Sequence, residues 1–195
     1  HNVYAVKGGV NYAHGSMSAG GYYNFGPDNG NFTNNGTEWM DDDEKTSHTI
    51  CRDSRGHNHL VAIYYENGFN GKCLLHFDGD YRKSVAKNRV ATIYPEAEET
   101  DVRSEDDRKS TLVAGKLYMR IPAGKGDLTT TAQWSYTNTN LDYRMLNSEV
   151  GTYIPSSVTD AQQHLAALSA SWARRMDRIT ISAGIRYEFV DYNFM

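Results

Sequence analysis

The sequence predicts an all-β fold, an antiparallel up-and-down meander of about eight strands, on the strength of three observations. Apolar and polar residues alternate in one segment after another. Aromatic side chains make up 12% of the 195 residues, including 14 tyrosines, and such residues favour strands. Tight turns and long polar links alternate along the chain. All the tight turns therefore fall at one end of the predicted sheet.

The predicted strands form hairpins closed by short turns. The first turn is at His14 and Gly15, and the last is at Asp177 and Arg178. Three polar links separate the hairpins, at about Pro27 to Gly56, Ser84 to Asp107 and Asp142 to Thr159. The predicted strands span residues 2–13, 16–26, 57–66, 72–83, 108–121, 127–141, 160–175 and 179–190.

Each predicted strand has one apolar and one polar face. In the last strand Ile179, Ile181 and Ile185 alternate with Thr180 and Ser182. The apolar faces also carry Leu75, Leu117, Met119 and Trp134. We expect seven polar-face residues to point into a lumen: Lys7, His76, Asp78, Lys116, Arg120, Arg186 and Glu188.

The asymmetry of the connections distinguishes a membrane barrel from a soluble one. Strands of about ten residues, short turns on one edge and long excursions on the other are typical of transmembrane outer-membrane β-barrels. Aromatic residues cluster toward the strand ends on the apolar face, as at the two lipid interfaces. We therefore interpret residues 1–195 as a single β-barrel segment of the cell outer membrane, with its apolar face toward lipid.

Composition excludes several other classes. The formal net charge is -4, and basic residues do not gather on one face, so nucleic acid is not an expected partner. No serine nucleophile motif accompanies His76, Asp78 and Asp80, so no enzyme activity or cofactor is predicted. The histidines and acidic runs match no strong metal signature. Cys51 and Cys73 are predicted to be free thiols.

The last hairpin carries a more specific pattern. Residues 163–168 and Trp172 precede a strand with Gly184, Ile185, Arg186, Tyr187 and Glu188. This pattern resembles the barrel strands of TonB-dependent outer-membrane receptors, in which a Gly-hydrophobic-Arg-Tyr-Glu strand follows a hairpin arm of small and aromatic residues. The match is specific over residues 160–190 and architectural over the rest.

The resemblance implies the import of a scarce nutrient, such as a metal chelate, a vitamin or a glycan. It also implies partners: outer-membrane lipid, the TonB complex acting through a plug domain, and a surface lipoprotein. Residues 1–195 contain no plug domain, and about eight strands are far fewer than the family's twenty-two. The segment is therefore expected to be an open, curved part of a larger barrel with unpaired first and last strands.

Two alternatives remain open at this stage. Eight strands also make the smallest outer-membrane barrel, so the chain could be a complete OmpA-like or OmpX-like protein with a structural or adhesive role. A soluble β-barrel that binds a small apolar ligand is the third possibility, and a compact apolar interior would identify it.

Ligand contacts, if this segment makes any, are expected on the long links. Loops on a rigid scaffold commonly carry recognition, and aromatic side chains can stack on or hydrogen-bond a polar ligand. Trp39, Tyr94 and Tyr153 are the predicted ligand-binding residues.

Overall fold

The computed structural model describes residues 5–27, 29–40, 44–69, 72–93, 101–147 and 155–195. They form one antiparallel sheet of nine strands, which confirms the predicted all-β meander. No helix in these ranges is long and apolar enough to cross a membrane. The strands are β1 (Val6–His14), β2 (Met17–Pro27), β3 (Gly30–Met40), β4 (Glu44–Phe69), β5 (Cys73–Ile93), β6 (Val102–Ala123), β7 (Gly126–Met145), β8 (Ser157–Met176) and β9 (Ile179–Phe194).

Strands β2 and β3 lie in line beside β4 and together form one arm of the meander, where an arm is one full crossing of the sheet. Pro27 pairs with His57 in β4, and Gly30 pairs with Ser54, so both strands share a single register with β4. Proline has no N–H to donate to a ladder, and the arm is interrupted directly after it. At the interruption, the side-chain oxygen of Asn29 accepts a hydrogen bond of 3.1 Å from the Gly56 backbone N–H. The nine strands therefore make eight arms.

Three tight turns have two-residue loops that need a positive φ at their first position. Gly15 and Gly124 supply it at φ values of 59° and 64°. In the third turn this position is Asp177 instead of glycine, with a φ of 46°, and Asp tolerates this region better than most residues. Beside one of these turns, a Cβ at Gly126 would lie 2.8 Å from the Trp172 ring, whose indole N–H donates to the Ala123 carbonyl at 3.0 Å. Glycine thus lets the tryptophan lie against the turn.

The long polar links differ from the prediction, because most of their described residues lie in strands. The 26-residue β4 and the 21-residue β5 continue well past the predicted strand ends. Backbone N–H and C=O groups can pair across a hairpin without an alternating side-chain pattern. In these extensions of β4 and β5, both faces carry polar groups. The alternation that marks a half-buried strand is therefore absent from these extensions.

The register places all the predicted apolar positions on one face of the sheet. One row crosses it through Tyr65, Phe77, Leu117, Ala132 and Leu168. These side chains do not pack into a closed core, and Leu117 and Leu168 are 42% and 62% exposed. The predicted segregation of faces is confirmed, because the same face holds Leu75, Met119, Trp134, Ile179, Ile181 and Ile185.

The apolar stretch of this face is as tall as the lipid-facing apolar band of an outer-membrane barrel. In β9 every position on this face from Ile179 to Phe189 is apolar, which is about 33 Å of strand at about 3.3 Å per residue. A tilt of about 40° reduces this to about 25 Å, the usual height of the apolar band on an outer-membrane barrel. We call this surface the apolar band.

Beyond the apolar band, toward the end away from the tight turns, the same face becomes charged. The change comes after Tyr81 in β5, with Lys83 next on that face, and after Phe189 in β9, with Asp191 next. We call the surface that follows the charged band. It consists of Asp53, Arg55, Lys87, Arg89, Arg103, Glu105, Asp107, Asp142 and Arg144.

The sheet is a single layer with open edges. Among the described residues only Ala167 is buried, at 4% exposure. In the same ranges, β1 pairs only with β2, and β9 pairs only with β8. The expected open sheet with unpaired first and last strands is therefore confirmed, whereas the closed apolar interior of a soluble barrel is not observed.

Two alanines test the assignment of the faces. Ala132 lies in the apolar band, and Ala114 lies on the opposite face, across from Asp80. In the full-length protein folded into bilayers, Ala132→Arg is expected to lower the free energy of unfolding by about 2–4 kcal/mol, the cost of a cation at the bilayer midplane. Ala114→Arg is expected to cost much less. Urea titration measures both values, and equal losses would contradict the assignment.

Candidate functional site

The structure places all seven predicted lumen residues on the face opposite the apolar band. The register aligns Asp78 with Lys116 across β5 and β6, and His76 lies on the same face as Asp78. These three residues line one hollow of about 440 Å³. That this face encloses a lumen remains a prediction. The complete set on this face is Lys7, His76, Asp78, Lys116, Arg120, Arg186 and Glu188.

His76 is held between two carboxylates. Its Nδ1 lies 3.1 Å from Glu66 Oε2 on β4, and its Nε2 lies 3.0 Å from Asp78 Oδ1. Both contacts lie within hydrogen-bonding distance, and which ring nitrogen donates depends on the tautomer of the imidazole. The Glu66–His76–Asp78 chain thus fixes the imidazole plane across two strands, with Lys116 opposite one end.

Aromatic and amide groups continue this polar surface toward β1. The Lys7 ammonium lies 5.1 Å from the centre of the Tyr22 ring, a cation–π distance. The Tyr64 hydroxyl donates to Asn11 Oδ1 at 3.3 Å. Both tyrosines line the hollow beside His76. The hollow therefore presents acidic, basic and aromatic groups together, a combination suited to a polar or charged ligand.

Arg120 and the β9 pair lie apart from this hollow. Arg120 is across from Leu74, nearer the tight turns. Arg186 donates to Glu188 through Nε at 3.1 Å and through a terminal nitrogen at 2.7 Å. Both residues are on the exposed edge strand, so the structure joins them to each other and not to His76.

A second polar hollow of about 700 Å³ lies farther along the same face. Ser54 donates to Asn88 Oδ1 at 2.6 Å, and the Asn88 amide donates to Asp106 at 2.7 Å. Arg52 and Arg108 also line it. This second hollow was not predicted from the sequence, because its residues have the composition of a polar link. Their positions two residues apart, continuing the polar face beyond Arg82, were the available signal.

The charged band holds an ion-pair ladder that joins β5 to β6, and a separate Asp142–Arg144 pair within β7. Lys87 pairs with Glu105, and Arg89 Nε donates to the same carboxylate at 3.2 Å. The hydrogen bond from Lys87 lowers the pKa of Glu105 and raises that of Lys87 itself. In β7 the hydrogen bond from Arg144 lowers the pKa of Asp142.

The predicted ligand-binding aromatics are placed only in part. The backbone at Trp39 lies in β3, across from Lys45 near the tip of the β3–β4 hairpin. Tyr94 and Tyr153 lie outside the described residues. Cys51 and Cys73 are free thiols far apart along the sheet, as predicted. In the described ranges, no three His, Cys, Asp or Glu side chains form a metal-ligating group.

No protein-family model and no curated protein sequence matches this chain. Solved structures do match it. The ferric citrate transporter FecA in its unliganded form aligns with a TM-score of 0.52 and 10% identity, over 95% of this chain and 34% of FecA. The chain thus spans about a third of the length of FecA. The fold is that of an outer-membrane β-barrel segment.

Further matches have lower scores. The ferric preacinetobactin receptor BauA from Acinetobacter baumannii aligns with a TM-score of 0.46 and 9% identity, over 98% of this chain and 41% of BauA. The ferripyoverdine receptor of the outer membrane of Pseudomonas aeruginosa aligns with a TM-score of 0.45 and 8% identity, over 100% and 36% of the two chains. At such identities the shared feature is the fold alone.

The ladder of the charged band predicts a dependence on pH. Because the fold lowers the pKa of Glu105, the ionised Glu105 carboxylate stabilises the ladder in full at pH values above the usual carboxyl pKa. The contribution is lost as the pH falls through the lowered value. Hydrogen exchange, corrected for its intrinsic pH dependence, is expected to show that residues 102–108 of β6 lose protection in acid while residues 113–121 keep theirs. Lys87→Gln should weaken this difference, and an unchanged pH response in the variant would contradict the assignment.

Proposed function

We propose that this chain forms part of the wall of a TonB-dependent receptor in the outer membrane, a transporter and not an enzyme. The complete barrel would import a scarce nutrient, a metal chelate, a vitamin or a glycan. Its partners would be outer-membrane lipid, the TonB complex acting through a plug domain, and a surface lipoprotein. Nucleic acid would not be a partner.

The observation that carries the proposal is a wide, open sheet with one apolar and one ionic face. Eight arms closed on themselves would pair β1 with β9, and neither strand pairs beyond its one neighbour in the described residues. The resemblance to FecA extends over almost the whole sheet. These features favour a wall segment of a wide barrel over the complete small barrel of OmpA or OmpX type.

The ionic face supports transport more than a structural role. Glu66, His76, Asp78 and Lys116 lie at the height of the apolar band, where charges facing lipid would be costly. They need water or protein partners, and a wide barrel interior supplies both. A polar solute moving along this face would meet successive hydrogen-bonding groups.

Energised uptake tests the proposal. Cells that express the full-length protein would be compared with cells lacking it, using ferric chelates, cobalamin and oligosaccharides as probes. We expect uptake of one probe class to depend on the protein and to stop when TonB is deleted or the proton-motive force is dissipated. Uptake that persists without TonB would indicate a passive pore, and uptake independent of the protein would refute transport of these solutes.

The tip of the β3–β4 hairpin is predicted to contribute to ligand binding. Gly36 pairs with His48, so residues 37–47 can be replaced by an Asn-Gly turn without shifting the register. Binding of the probe found above is expected to weaken about tenfold or more, while heat-modifiable gel mobility shows an assembled barrel. Trp39→Ala would show whether the indole accounts for the loss. A variant that no longer assembles would make the hairpin structural and the prediction wrong.

A further inference from the structure

Three arginines lie on the face opposite the apolar band, toward the end away from the tight turns. The register places Arg52 on β4, Arg82 on β5 and Arg108 on β6, all on the face that carries His76. Arg52 and Arg108 line the second hollow, whereas Arg82 and Arg108 line an adjoining hollow of about 410 Å³. All three side chains are exposed. We call Arg52, Arg82 and Arg108 the arginine triad.

The guanidinium groups of the arginine triad have no hydrogen-bond or ion-pair partner in the described part of the chain. The charged band on the opposite face differs, because each of its four arginines forms an ion pair. Arg55, for example, lies 3.0 Å from Asp53, and Arg89 lies 3.2 Å from Glu105. The sheet thus neutralises the arginines of the charged band and leaves those of the triad unpaired.

Two carboxylates share a face with the arginine triad. Asp106 lies two residues from Arg108, and its carboxylate already accepts a hydrogen bond of 2.7 Å from the Asn88 amide. Asp80 lies two residues from Arg82 and lines the hollow of about 440 Å³. Among the described residues, neither carboxylate forms an ion pair with the triad. The two hollows that the triad lines therefore hold three unpaired guanidinium groups and one carboxylate.

The register spaces the arginines evenly along the sheet. Ala86 is across from Arg108. Arg82 lies four residues before Ala86 on β5, and Arg52 is across from Val90, four residues after it. Four residues of a strand span about 13 Å. A solute of the size of a metal chelate can therefore contact two of the arginines from opposite sides.

The floor between the arginines consists of small and hydroxyl-bearing side chains. Ala86 lines both hollows, and Ser84 is across from Ser110 in the adjoining one. The Ser110 and Thr139 hydroxyls lie 3.2 Å apart and can each donate or accept. These short side chains leave room above the sheet for a solute between the long guanidinium groups.

We propose that the arginine triad Arg52, Arg82 and Arg108 makes this wall selective for solutes that carry several carboxylate or phosphate groups. A guanidinium group binds such groups through paired N–H donors, and an uncharged solute gains nothing comparable. The inference rests on the transport function proposed above and narrows its ligand class. Of the nutrients named there, a negatively charged metal chelate fits the triad, whereas an uncharged glycan or an uncharged chelate does not.

Calorimetric titration of the full-length protein in detergent tests the selectivity. The four probes are an anionic ferric chelate with carboxylate donors, an uncharged ferric hydroxamate chelate, inositol hexakisphosphate and an uncharged maltooligosaccharide. The test variant is Arg52→Gln with Arg108→Gln. The control is Arg55→Gln with Arg89→Gln, which removes the same charge from the charged band on the opposite face. Heat-modifiable gel mobility verifies assembly, and the two substitutions of the test variant are also made singly.

The wild-type protein and the control are expected to bind an anionic probe more tightly than either uncharged probe. The test variant is expected to bind that anionic probe about tenfold more weakly, the combined effect of two exposed ion pairs. Whether the chelate or the hexakisphosphate binds more tightly assigns carboxylate or phosphate as the anionic group. Equal affinity of the test variant and the control, no binding of either anionic probe, or tighter binding of an uncharged probe would overturn the proposal.

Uptake by cells that express the same proteins separates this inference from the receptor proposal. TonB-dependent uptake of an uncharged probe that the test variant leaves unchanged would support the receptor and refute the selectivity. Binding of an anionic probe that depends on the triad, together with uptake that persists without TonB, would support the selectivity and refute the receptor.

Discussion

Backbone hydrogen bonding is the constraint on which the rest of this structure depends. Hydrocarbon offers no partner to an N–H or a C=O group, so a strand that crosses a membrane must pair along its full length with neighbours on both sides. Here an unbroken antiparallel register joins eight arms, and even the interruption between β2 and β3 keeps the register of β4. Among the described residues, β1, β3 and β9 each have an outer edge without a ladder partner, and further strands would pair with the membrane-spanning edges in a wide barrel.

This ladder also divides the side chains into two surfaces, because successive residues of a strand point to opposite faces. On the outward face the side chains change with height, because the apolar band is followed by the ion pairs of the charged band. On the other face, charge persists at the height of the apolar band, as in the Glu66–His76–Asp78 chain. Such a sheet has no core of its own, and its stability depends on lipid on one side and on water or protein on the other.

The sequence predicted those parts of the fold in which one face is apolar. The alternation from Ile179 to Phe189 marks a strand because its two faces meet different surroundings, and the register carries the same division across the sheet. The extensions of β5 beyond Lys83 and of β6 before Arg108 escaped prediction because both of their faces carry polar groups, which leaves no period to detect. Their existence depends on backbone pairing that side-chain pattern does not report.

For each site, the sequence predicts which residues of one strand share a face, but it does not predict which residues of the neighbouring strands they contact. The sequence placed His76 and Asp78 together, since residues two apart share a face. Glu66 joins them only through the pairing of β4 with β5, in which Phe69 opposes Cys73, and a shift of one residue there would turn its carboxylate to the other face. The same pairing brings His59 to Lys83. Contacts of this kind depend on turn geometry, which a single sequence specifies weakly.

A spin-label scan along β7 tests the central claim, the two-faced membrane wall, most directly. Cys51 and Cys73 would be replaced by alanine, and single cysteines would be introduced at residues 128–144 of the full-length protein in bilayers. The account predicts that oxygen accessibility, which reports lipid, is high at even positions up to Tyr136 and low at odd ones, and that the oscillation ends from Asn138 onward. Oxygen accessibility that does not alternate, or that peaks at odd positions such as Gln133 and Ser135, would contradict it.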